Sequence, residues 1–93
     1  MSMEDYTKHP LYGIWQNVRA RCYNPKNPAY SFYGGRGILM CAEWRNDFDV
    51  FVRDVGERPA GTSLDRWPDN DGPYAPGNVR WATKKQQQRN LRN

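Results

Sequence analysis

With 93 residues, the chain has room for one small domain and not for two, and a domain of that size buries only a modest share of its surface. A net charge of +4 and an isoelectric point near 9.3 point to a polyanionic partner, most simply nucleic acid. One histidine and two cysteines are too few for a four-ligand zinc site of His and Cys, which would need a carboxylate to complete it, and with no leader segment or apolar run of membrane length the expectation is a cytoplasmic protein with reduced thiols and no membrane partner.

Residues 1 to 8 are polar and read as a frayed end. Pro10 opens a helix. After it Leu11, Ile14, Trp15, Val18 and Cys22 form one apolar stripe at helical spacing, with Arg19 and Arg21 off it. "YNPKNP" (23 to 28) stops that helix. In "YSFYGGRGILMCAEW" (30 to 44), three glycines around Arg36 precede the apolar run Ile38 to Cys41, which reads as a turn followed by a short strand. An arginine in a glycine-rich loop lets backbone approach a phosphate. The lysine and spacing of a P-loop are missing, and a plain tight turn accounts for the glycines more simply. Trp44, Phe48, Phe51, Val52 and Val55 then mark a single second helix, with Gly56 at its C-terminus.

Both cysteines, Cys22 and Cys41, read as small buried hydrophobes. With a mean hydropathy of −1.03, the core has to lean on large rings, and an added staple such as a metal or a partner fits a chain this short.

The last third has a different texture. "SLDRW" (63 to 67) and "NVRWA" (78 to 82) read as strands, joined by ten residues dense in turn formers, "PDNDGPYAPG". Thr83 N-caps a final helix running to about Leu91. The order is α, β, α, then β-loop-β-α. That is an α+β fold in one domain, 1–93, whose residues 63–91 form a ββα unit. From Arg80 onward there are five basic residues and no acid. Such a segment is either a solvated tail or a phosphate-binding face. Asp65 and Arg80 stand where a cross-hairpin ion pair would form, and Asn78 where a side chain can bridge the loop. Trp67 and Trp81 serve the core or, if exposed, stack on bases.

The β-loop-β-α segment "SLDRWPDNDGPYAPGNVRWATKKQQQRN" resembles the HNH, or ββα-metal, nuclease motif. In that motif an Asp-His pair lies on the first strand, an Asn begins the second, and a ligand comes from the helix. The resemblance implies that Asp65 binds metal and that Arg66 stands at the position of the histidine base. Asn78, twelve residues beyond Arg66, would be the orienting residue, and Gln87, nine further on, the helix ligand, with Asn90 able to substitute one turn later. From about His9 to Asn90 the chain looks like a family of small phage and prophage HNH-endonuclease-like proteins. "YGGRG", "SLDR", "DNDGPY", "NVRWAT" and the closing "Q..RN" carry the likeness. An Arg after the Asp is common in that pattern. Cys often replaces Val79 there, and Ile often replaces Trp67. The first departure counts against a shared site that would use His9, Cys22, Cys41 and a fourth thiol.

An arginine stays protonated at neutral pH and is no ordinary base. It can hold a phosphate through two hydrogen bonds. Losing a base costs about 10²- to 10⁴-fold in rate, and a Gln is a weaker Mg²⁺ ligand than a carboxylate. The expectation is therefore an HNH-like protein of a bacterial host's cytoplasm that binds double-stranded DNA with weakened or lost cleavage. Arg36, Arg66, Arg80, Lys84, Lys85, Arg89 and Arg92 would hold the backbone. One alternative is an active metal-dependent endonuclease or nickase, using Asp65, Arg66 and Asn78 with Mg²⁺, Mn²⁺ or Zn²⁺ on Asp65 and Gln87. There Asp69, Asp71, His9 or a metal hydroxide would replace the missing base. Another alternative is a phage counter-defence protein that blocks a host protein complex by occupying its nucleic-acid surface.

Overall fold

The computed structural model describes residues 8 to 91, with the side chains of 89 to 91 left aside. Helix α1 spans Tyr12–Tyr23. Two single 3-10 turns follow, Tyr30–Phe32 and Gly34–Arg36. Then come α2 (Ala42–Asn46), α3 (Phe48–Val55), β1 (Ser63–Arg66), β2 (Val79–Ala82) and α4 (Lys84–Leu91). The two strands pair antiparallel with Asp65 opposite Arg80 and Leu64 opposite Trp81. The architecture is the expected small α+β domain.

The two departures from the sequence reading have local causes. The second helix is broken at Asp47, whose backbone is extended (φ −144°, ψ 105°) and whose carboxylate accepts the amide of Asp49. An Asp at that place is an N-cap, so it starts a new helix in the middle of an apolar stripe that fits one. The expected strand at Ile38 to Cys41 is reduced to a single parallel bridge, Met40 to Tyr74. Ile38 and Met40 are buried and Leu39 is exposed, as in a strand. The partner segment, however, belongs to the 67–78 loop, and the backbone pairing consists of Tyr74 N–H to Leu39 C=O (2.8 Å) and Cys41 N–H to Tyr74 C=O (2.9 Å). The other side of Met40 is served by one side chain: Tyr23 Oη donates to its carbonyl and accepts from its amide, both at 2.9 Å.

Rings fill the core and tie it together. Trp44 and Phe51 are fully buried and meet edge to face at 5.4 Å. Trp15 Nε1 donates to Trp44 C=O (2.7 Å), and Trp81 Nε1 donates to Val55 C=O (2.8 Å). Each indole therefore buries its apolar body and spends its one donor on a neighbouring element. Through Trp81, Leu64 and Val79 the hairpin packs one face on this core. Gly34 sits so close to the Cys22 carbonyl that a Cβ could not fit. That contact closes the 3-10 turns onto the end of α1. Cys22 is buried, as expected, whereas Cys41 is only half-buried and both thiols are free.

Candidate functional site

Strand alternation sorts the first strand of the hairpin. Leu64 and Arg66 share the core-facing side, and Asp65 points the other way. Asp65 Oδ2 accepts from Arg80 Nε at 3.2 Å, with both side chains about three-quarters or more buried. Arg80 reaches on to the Gln86 carbonyl (3.4 Å), which links the hairpin to α4.

Arg66 turns inward. Its Nη1 donates to the carbonyls of Asn70 and Gly72 (3.4 Å to the latter), and its guanidinium lies against the rings of Tyr33 (5.2 Å) and Tyr74 (5.5 Å). Those two rings are themselves stacked, 6.3 Å apart. Arg21 completes the cluster, lying 5.2 Å from the Tyr33 ring and donating to its hydroxyl at 3.3 Å. Burial pushes the Tyr74 hydroxyl up to about 12, and the nearby Arg21 and Arg66 only partly offset this. Burial likewise raises the Cys22 thiol, opposed by the same two arginines.

Asn78 locks the loop. Its Nδ2 donates to the carbonyls of Asp69 (3.0 Å) and Pro73 (2.9 Å), and its Oδ1 accepts the Asp69 amide (2.9 Å). Asp69 in turn accepts the Asp71 amide (2.9 Å), and Asp71 is ion-paired with Arg36. The two loop aspartates are thus turn and latch residues in this fold.

The final helix begins with a reciprocal cap. Thr83 Oγ1 accepts the Gln86 amide (3.2 Å), while Gln86 Oε1 accepts the Thr83 amide (2.8 Å). Gln87, one residue on, donates from Nε2 to the Ala82 carbonyl (3.1 Å).

Together these elements wall an open cleft of about 830 Å³, lined among others by Asp65, Arg66 and Gln87 from the ββα unit and by Arg21 and Arg36 from outside it. Two of the residues expected to meet, Asp65 and Gln87, therefore face one space. Asn78 does not line it. His9 lies elsewhere: its Nδ1 accepts the Leu11 amide (3.0 Å), and its ring packs edge-on against Phe48. Lys84 and Lys85 are exposed in the first turn of α4. The expected contacts Arg89 and Arg92, and the substitute ligand Asn90, lie outside the described side chains. Sequence reading missed Arg21, Tyr33 and Tyr74 as cleft residues. The one available signal was Arg21 standing off the apolar stripe of its helix.

The donor set bears on any bound metal. Among the described residues, no group of three or more His, Cys, Asp or Glu is placed to hold an ion. Asp65 shares its carboxylate with Arg80, and Gln87 has only its amide oxygen to offer. Two oxygen donors fit a hard cation that keeps most of its water and borrows phosphate oxygens; they do not fit zinc, which favours nitrogen and sulfur.

The fold and its cleft place the chain among small α+β domains with a C-terminal ββα unit. Comparison with protein-family models, with curated proteins and with solved structures finds no match. No helix among the described residues is long and apolar enough to cross a membrane.

Proposed function

We propose that the chain is an HNH-like protein that binds nucleic acid, double-stranded DNA first, and that holds phosphate better than it cuts. One observation carries this reading. Lys84 and Lys85 stand exposed at the N-terminal end of α4 with no acidic partner among the described residues. Cations there oppose the helix dipole. A cost to stability at such a place is the kind of local conflict that a binding role explains. The helix also carries Gln87 into the cleft, where Arg21, Arg36 and Arg66 stand among Asp65, Asp69 and Asp71. Weak cleavage follows from Arg66, which stands at the base position, stays protonated and is turned into the loop. The test is binding of duplex DNA at about 50 mM salt, with affinity falling steeply as salt rises. Replacing both lysines by alanine should weaken binding to unrelated duplexes alike and flatten the salt dependence by about two counterions. Absence of duplex binding at that salt sinks the proposal.

A second reading has its own support, because Asp65 and Gln87 line one cleft. In a metal-dependent nuclease these two would hold a divalent ion, which supplies Lewis-acid stabilisation of the leaving oxygen. Nicking of supercoiled plasmid with Mg²⁺ or Mn²⁺, abolished by EDTA and by Asp65→Ala, would establish it. No nicking with any divalent metal rejects it.

A further inference from the structure

Trp67 is the one tryptophan that the fold does not use up. The other three indoles are tied into the core or packed against it, whereas Trp67 keeps 45% of its surface exposed. It leaves β1 directly after Arg66, and alternation places it on the side of the hairpin that carries Asp65, away from the core-packed face. Arg80, diagonally across the hairpin, stands over its ring at 4.9 Å. That arginine is itself fixed, by Asp65 at 3.2 Å and by the Gln86 carbonyl at 3.4 Å. The result is a large flat ring with a held guanidinium against it and 45% of its surface open to solvent. It stands beside Asp65 and next to Pro68, both of which line the cleft.

We infer that Trp67, backed by Arg80, is a stacking platform for an unpaired nucleobase at the mouth of the cleft. The ligand class is single-stranded nucleic acid, or a strand whose base has left the duplex. This rests on the nucleic-acid reading above and sharpens it. Stacking on an aromatic ring needs an exposed π face, which a base inside a duplex does not present. A cation behind the indole leaves the ring's outer face available and adds positive charge near the incoming phosphate backbone. Sequence preference is slight at such a platform, because every base has a π face.

The test compares a short oligothymidylate with a duplex of matched length, using native protein, Trp67→Ala and Trp67→Phe, at about 50 mM salt. Trp67→Ala should lose roughly 5- to 150-fold in affinity for the single strand and leave duplex affinity unchanged, while Trp67→Phe keeps most of the single-strand binding. Intrinsic fluorescence provides a readout that does not depend on the alanine variant folding. The single strand should quench the native protein strongly, and the quench should largely vanish in Trp67→Phe. If duplex binds but quenching persists in Trp67→Phe, or a folded Trp67→Ala holds the single strand as tightly as the native chain, the platform is rejected and the broader DNA-binding reading stands. If neither nucleic acid binds, both fall together.

Discussion

Under the HNH-like reading proposed above, Arg66 stands at the position of the histidine base, and an arginine is no ordinary base at neutral pH. Its guanidinium braces two loop carbonyls and lies against two tyrosine rings. Arg66→Ala should therefore cost stability, roughly 2 to 4 kcal/mol, since it removes the hydrogen bonds to the Asn70 and Gly72 carbonyls and two cation–π contacts. Urea unfolding measures this. A variant as stable as the native chain would show that the loop does not depend on the arginine. Tyr74, one of the two rings, sets a pH limit. Its hydroxyl titrates ordinarily at 10.0 and is raised to about 12 in the folded chain. The neutral form is thus favoured by folding, and its contribution is complete below pH 10 and lost as pH rises towards 12. The loss is on the order of 2 to 3 kcal/mol. It should appear as a fall in the urea midpoint over that window that is absent from Tyr74→Phe.

At the scale of elements, the ten-residue connection between the strands behaves as a folded part. Asn78 fastens it with three hydrogen bonds to Asp69 and Pro73, and Arg66 fastens it from below. Asn78→Ala should cost about 2 kcal/mol and open residues 68 to 77 to limited proteolysis; a loop that stays uncut in that variant contradicts the lock. The hairpin, its loop and the capped final helix were legible in the sequence because their signals are local: alternation, turn formers and a Thr at the helix start. The break at Asp47 was hidden because Trp44, Phe48, Phe51 and Val55 keep helical spacing across it, so a periodic pattern outweighed a single capping residue. The short strand failed for a different reason. Ile38 to Cys41 has strand alternation, but among the described residues its one bridge partner belongs to a distant loop, which no local pattern reveals. Of the candidate site, the sequence spacing brought Asp65 and Gln87 to one cleft. It could not show that Asp65 would be held by Arg80 there, although the pairing across the hairpin was a stated alternative.

At the scale of the whole molecule, stability draws on a few groups. Arginines brace the loop and the hairpin face, and rings join one element to the next, while the lysines of α4 stand exposed. Tyr23 has a further consequence. Its phenol satisfies both the amide and the carbonyl of Met40, so it occupies the place of a neighbouring strand. Beside it Leu39 is 54% exposed. Tyr23→Phe would leave a bare strand edge next to an exposed leucine, which is the template for pairing between molecules. The expected outcome is a chain that folds, then self-associates as its concentration rises. Light scattering of Tyr23→Phe against the native protein reports it, and equal scattering at every concentration contradicts it.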